Sequence, residues 1–346
     1  MRVWVLLAAL LAAAPAVAAP AATGPADFIV IGDVPYTADD EAMLANAVPA
    51  IKALAPPFVL HVGDMKAGKE LCGPPSDRFA ALIAALAPIP VIYTPGDNDW
   101  TDCDRFADPA TGKPFSELGQ LDMLRKRFFA RPALPRRGYR YVQQRGMPEN
   151  ARFNYADMVF VTLNVPGTNN ARDQVLGDDL ARAARASEAR DLANRNWLIR
   201  AFAKARQRKA AAIVVVMQAD LTHSPLTQAT TGIVCRESGT EEDRACDGFA
   251  MVRATLMQQA REFAHPVYLI HGDTWPYVMT RGIFPGDAAN IWQLNVGGDV
   301  GVSKEGNPQG LRDVTRVTLD PAANMPIAAE GLLTHARPEW IAPAMK

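Results

Sequence analysis

The chain reads as an α/β protein built in layers, and two observations carry that reading. Short apolar runs of strand length alternate with helix-length segments in the order βαβαβ over residues 27–94, the pattern of a layered α/β fold. Five apolar runs then end directly on acidic or amide residues. They are FIVIGD to Asp33, FVLHVGD to Asp64, VIYTPGDND with Gly96 to Asp99 at its end, IVVVMQAD with Gln218 to Asp220, and VYLIHGD to Asp273. Ligands in such folds bind beyond the carboxyl ends of strands. Five oxygen-bearing ends therefore suit one metal or phosphate site.

Taken in order, residues 27–32 form a first strand and Asp39 to Leu54 a helix; 58–63 form a second strand, Asp77 to Leu86 a helix, and 90–94 a third strand. Gly96 to Lys113 is a loop rich in Asp, Pro and Gly, and loops of that length are commonly functional. A helix follows to about Phe129. Tyr139 to Gln144, Ala151 to Tyr155 and Met158 to Asn164 are expected as strands. Asp178 to Lys209 is rich in Ala and Arg and reads as helix. Its Arg182, Arg185, Arg190, Arg195 and Arg200 are either a solvated face or an anion-binding one. Residues 211–217, rich in Val and Ile, are expected as a central strand, Phe249 to Phe263 as helix and 266–270 as strand. Short β runs follow at 277–280, 291–296 and 314–319. No repeat and no linker divides the chain, so one domain is expected.

The composition, 346 residues with 49% hydrophobic and 21% charged, gives ample material for a core. The net charge of −1 gives no pull toward nucleic acid or an anionic membrane. The N-terminus has the form of a signal peptide over residues 1–18: Arg2, an apolar Val3 to Ala14, then Ala16-Val17-Ala18 as the cleavage site. A periplasmic or secreted protein is the expectation, free of the membrane after cleavage. Four cysteines suit an oxidising compartment. Cys72 follows the second motif and Cys103 the third, so a bridge there would join two loops of one site; Cys235 and Cys246 flank a polar loop. The connectivity stays open at this level. No G-x-S-x-G is present, which sets aside a serine-nucleophile hydrolase.

The order and spacing of the five motifs resemble the calcineurin-like metallophosphoesterases, over about Asp27 to Trp275. That family carries D-x-H, G-D, G-N-H-[DE], a lone H and G-H-x-H, each at a strand end. The resemblance implies a four-layer αββα sandwich spanning residues 26–320, followed by a tail, 321–346. It also implies a two-metal site hydrolysing phosphoric esters, with the ions about 3.5–4 Å apart. The match is close at Gly63-Asp64 and at Gly96 to Asp99. Elsewhere it departs: Pro35 and Trp275 stand where the first ion's histidines belong, and neither side chain can ligate.

The second ion's positions keep candidate ligands. Asp64, Asp97, Gln218 and Asp273 stand on them, with Asp33 near. All are oxygen donors, suited to Mg²⁺, Mn²⁺ or Ca²⁺ rather than Zn²⁺. The sequence expectation is therefore one hard divalent cation acting on a small phosphorylated substrate. The alternative is a non-catalytic member of the fold that binds a phosphorylated or polyol ligand. Asn98 stands on the family's catalytic histidine, with Asp99 behind it. Asn donates hydrogen bonds but moves no proton. His223 is then a candidate substitute acid, or an ordinary loop histidine. His271 is either a ligand in shifted register or a strand residue facing away. His61 reads as a core histidine. Asn164, Asn169 and Asn170 serve either turn chemistry or substrate contact.

Overall fold

A computed structural model describes residues 24–342 of the chain, apart from 74, 174, 223–246, 284–287 and 303–305. The expected signal segment, His223 and the Cys235 to Cys246 loop lie outside the described residues.

The strands, in chain order, begin with β1 (Ala26–Ile31), β2 (Val59–His61), β3 (Val91–Tyr93), β4 (Val142–Gln144) and β5 (Met147–Tyr155). Next come β6 (Met158–Thr162), β7 (Ala212–Val216), β8 (Val267–His271), β9 (Val278–Arg281) and β10 (Ile291–Asn295). The last five are β11 (Val300–Val302), β12 (Pro308–Gly310), β13 (Thr315–Leu319), β14 (Ile327–Gly331) and β15 (Glu339–Ile341). One sheet runs β14-β13-β1-β2-β3 and the other β15-β9-β10-β8-β7-β6-β5-β4; β11 and β12 form a small ribbon. Within them β1-β2-β3 are parallel, as are β6-β7-β8-β10.

The period of two along each strand sorts its side chains between two interfaces. On β1, Phe28 and Val30 face the other sheet, while Ile29 and Ile31 face the helices. On β7, Val214 and Val216 point between the sheets, and Ile213 and Val215 point the other way. The helices Ala38–Leu54 and Pro75–Leu86 cover the first sheet through Met43, Leu44, Ala47, Ile51 and Leu86. The helices Leu180–Arg208 and Ala250–Phe263 cover the second through Leu198, Phe202, Leu256 and Phe263. The result is the four-layer αββα sandwich that the resemblance implied. Between the sheets, Phe58 meets Phe153 and Phe160 edge-on, geometries that add about 0.5–1.5 kcal/mol each beyond area burial.

Local signals set the element ends. Thr37 caps the helix Ala38–Leu54 in a capping box with Asp40, and Ala55 ends it in left-handed backbone, its N–H returning to Ile51 O and Lys52 O. Two expectations need correction. Residues 321–346, read as a tail, supply β14 at the edge of the first sheet and β15 at the edge of the second. Arg190 belongs neither to a solvated face nor to an open anion site. It is buried, donates to Asn170 O and lies 5.1 Å from the Trp100 ring, and burial brings its guanidinium down to about 10.

Cys72 and Cys103 form a disulfide with their Cα atoms 5.6 Å apart. It joins the loop after β2 to the 3-10 turn Thr101–Arg105, across a sequence separation of 31. The double variant Cys72→Ser/Cys103→Ser should lose about 2–4 kcal/mol of stability by loop entropy. Denaturant unfolding of both proteins measures this, and an unchanged midpoint would contradict it. Among the described residues no helix is long and apolar enough to cross a membrane.

Candidate functional site

The parallel strands bring their carboxyl ends to one place. Asp33 follows β1, Asp64 follows β2, Asp97 follows β3, Gln218 follows β7 and Asp273 follows β8. Three of these aspartates have positive φ: 55° at Asp33, 59° at Asp64 and 75° at Asp273. Asp tolerates that region better than most residues, and the turn it makes swings each carboxylate back over the strand ends. Glycines let the loops close. A Cβ on Gly272 would lie 2.0 Å from Asp33 Oδ2, and one on Gly96 2.0 Å from Asp64 Oδ1.

Hydrogen bonds knit the group together. Asp64 Oδ2 accepts from the Tyr36 hydroxyl at 2.8 Å and from Asn98 Nδ2 at 2.9 Å; Asp64 Oδ1 accepts from Asn98 N at 3.2 Å. The Asn98 amide also reaches the Tyr36 oxygen at 3.0 Å. Asp273 N–H donates to Asp33 Oδ1 at 2.9 Å. The Thr168 hydroxyl lies 2.8 Å from both Asp97 Oδ2 and Asp102 Oδ1. Asp220 joins from beyond Gln218: its N–H reaches Asp273 Oδ2 at 3.2 Å, and its own carboxylate accepts from the Thr222 and Thr274 hydroxyls.

Gln218 stands among the carboxylates. Its Nε2 is 3.0 Å from Asp97 Oδ1, 3.0 Å from Asp273 Oδ1 and 3.4 Å from Asp64 Oδ2. Its Oε1 accepts from Gly167 N–H. Since a backbone N–H can only donate, that bond fixes which end of the amide faces the acids. The expected oxygen ligand thus presents nitrogen and donates.

Burial dominates the electrostatics. Asp33 is pushed up to about 8, first by burial and then by the charges of Asp97 and Asp299, against the Asp273 N–H. Burial, then neighbouring carboxylates, holds Asp64 and Asp273 well above the usual range. Asp102 rises to about 7 for the same reasons. Asp220 moves the opposite way: burial raises it, but the charge of His271 and the threonine hydrogen bonds outweigh that.

The remaining candidates are placed as follows. Asp99 binds the loops together, accepting from the N–H groups of Asp64, Met65 and Gly96 and from the Tyr93 hydroxyl, all within 2.7–2.9 Å. His271 is buried, with Nδ1 2.9 Å from Gly272 O and Nε2 2.7 Å from Gln293 Nε2. His61 is a core residue packed on Phe79 and Tyr93, and burial lowers it to about 3. Asn169 and Asn170 hold Gly248, through its N–H and its carbonyl respectively, and Asn164 Nδ2 donates to Glu149. Sequence reasoning missed Tyr36, Asp102, Gly167 and Thr168. The one local signal was their position directly beside motif residues or in LNVPGTNN.

The resemblance implies metal here, and the geometry tests it. Among the described residues no group of three or more His, Cys, Asp or Glu side chains is arranged to hold an ion. The point where Asp64, Asp97 and Asp273 converge is taken by an amide nitrogen. These side chains, as arranged, do not fit a resident divalent cation.

The fold is thus a four-layer αββα sandwich with a carboxyl-rich site at the ends of its parallel strands. Solved structures similar to the chain include the purple acid phosphatase PPD1 from yellow lupin (Lupinus luteus) seeds, at 11% identity and a TM-score of 0.49. That match covers 94% of this chain and 55% of the lupin chain, so this chain spans about half its length. A dimetal phosphatase from Danio rerio matches at 12% identity, TM-score 0.45, over 90% of this chain and 99% of its own. GAP50, the anchor in the inner membrane complex of Plasmodium, matches at 12% and 0.43, over 93% and 90%. No family model and no curated protein matches the sequence.

Proposed function

We propose that this chain is a divergent, exported member of the calcineurin-like fold whose cleft binds a small hydroxyl-rich or phosphorylated ligand without hydrolysing it. One observation carries the reading: Asn98. It stands where the resemblance places the proton-shuttling histidine, and its carboxamide is spent on Asp64 and Tyr36. A carboxamide orients a ligand but neither gives nor takes a proton during turnover. Around it stand further groups that recognise hydroxyls: the Tyr36, Thr168 and Thr274 hydroxyls and the part-buried Asp97 and Asp273. The Cys72–Cys103 disulfide supports an oxidising destination.

A second reading, a phosphoric-ester hydrolase using one Mg²⁺, Mn²⁺ or Ca²⁺, is favoured by the crowding of Asp33, Asp64, Asp97 and Asp273, whose mutual repulsion a cation would relieve. Hydrolysis of p-nitrophenyl phosphate and bis-p-nitrophenyl phosphate separates the two. The binding reading expects rates at the buffer background with each cation and with chelator, alongside thermal stabilisation by a polyol phosphate such as inositol phosphate. Cation-dependent turnover abolished in Asp64→Ala would establish the hydrolase instead.

A further inference from the structure

We propose that the Gln218 carboxamide, pinned by Gly167 N–H, takes the place of a divalent cation as the group that holds Asp64, Asp97 and Asp273 together. The inference concerns the same cleft as the proposed function and deepens that reading, but rests on different atoms.

Three carboxyl groups meeting at the ends of β2, β3 and β8 turn acceptor oxygens toward one point, and a hydrogen-donating partner there satisfies them. Gln218 supplies one. Its Nε2 carries two hydrogens, which serve Asp97 and Asp273 at 3.0 Å each, while Asp64 lies at 3.4 Å. The side chain is fully buried, so water does not compete for these bonds.

The local backbone is built to keep the amide this way round. Thr168, Asn169, Asn170 and Ala171 all have φ between 50° and 59°. Non-glycine residues pay about 1–2 kcal/mol each for that left-handed conformation. The run carries Gly167 against the carboxylates. A Cβ there would lie 2.3 Å from Asp273 Oδ1 and 2.5 Å from Asp97 Oδ2. Only a glycine lets a main-chain N–H approach so closely and cap Gln218 Oε1. The Thr168 hydroxyl then sets its one hydrogen between Asp97 and Asp102. Cation substitution is thus achieved by a donor amide, an acceptor-fixing N–H and a hydroxyl, all from neutral groups.

Gln218→Glu tests this with little change of shape. The glutamate keeps an oxygen for Gly167 N–H but turns the second oxygen, now charged, toward three acids. That arrangement calls for a cation. Thermal unfolding and isothermal calorimetry with Mg²⁺, Mn²⁺ and Ca²⁺ alone, and with chelator, provide the readout. The parent protein should melt at the same temperature in cation and in chelator and show no stoichiometric binding. Gln218→Glu should melt lower in chelator and recover by several degrees in cation, with about one equivalent bound. A parent protein that binds one cation tightly and loses stability on chelation would overturn the proposal, because Gln218 would then be a ligand. Gln218→Met, of similar size but without donors, guards against a variant that fails to fold: it should be destabilised, and a parent-like melting profile would also count against the proposal. Failure here leaves the hydrolysis assay independent, since that assay reads turnover and this one reads cation binding.

Discussion

Asp99→Ala should be the most damaging single substitution in the cleft, costing about 4 kcal/mol or more. Four donors converge on this one carboxylate: the N–H groups of Asp64, Met65 and Gly96, and the Tyr93 hydroxyl. Each buried donor left without a partner costs about 1–3 kcal/mol. Asp99 is almost fully buried, so water cannot refill the space without moving the loops. The loops concerned carry Asp64 and Asp97, so ligand binding should fail with the fold. Asp99→Asn separates the contributions. With its carbonyl oxygen at the Oδ2 position it keeps an acceptor for the Asp64, Gly96 and Tyr93 donors and turns its NH2 against the Met65 N–H, and should fall between the parent and alanine. Denaturant midpoints provide the measurement, and an alanine variant within 1 kcal/mol of the parent would show that Asp99 does not hold the loops.

Stability should fall as pH rises from about 5 to 8 in cation-free protein, opposite to the usual behaviour of carboxylate-rich proteins. Asp33 rises from 3.8 to about 8 on folding, and Asp102 from 3.8 to about 7; Asp64 and Asp273 shift the same way. Groups whose folded pKa is raised bind protons more tightly in the native state. Their contribution is fully present below the unfolded value and is lost as pH climbs to the folded value. Asp220, shifted down, adds the opposite limb: it loses its contribution below its unfolded value. A stability maximum should therefore lie near about pH 4, where the unfolded carboxylates titrate. Asp33→Asn should flatten the descent toward pH 8. Melting temperatures recorded in chelator across pH 4–9 test this, and a curve rising from pH 5 to 8 would show that the acids are ionised and paired in the native state.

The fold was largely legible because it is written in periodicity. Alternation in FIVI and AIVVV divides the two interfaces, and the same runs stop at the residues that form the cleft. The missed strands explain themselves. IAAEG has alanines where packing signals would stand, and EWI is three residues long and exposed. Arg190 was misread because burial of an arginine depends on what faces it, here Trp100 from a distant loop. The cleft was legible as a set of positions but not as chemistry. Gln218 counts as an oxygen or a nitrogen according to which end Gly167 holds, and Gly167 lies 51 residues away. Asp99, placed in the sequence behind the catalytic position, is structural because two of its four donors, the Asp64 and Met65 N–H groups, come from the preceding motif. The left-handed run at Thr168 left no trace in residue type beyond an asparagine pair.

The Cys72–Cys103 bridge has a consequence in time. It clasps the loop that follows Asp64 to the turn that follows Asp97, so two of the three acids around Gln218 are set covalently only after oxidation. With the cysteines reduced, these two acids are held by hydrogen bonds only, among them those that Asp99 accepts and those that Gln218 and Asn98 donate. Oxidation of this one pair therefore acts as a clamp on the site, and reduction should loosen the two loops that carry Asp64 and Asp97.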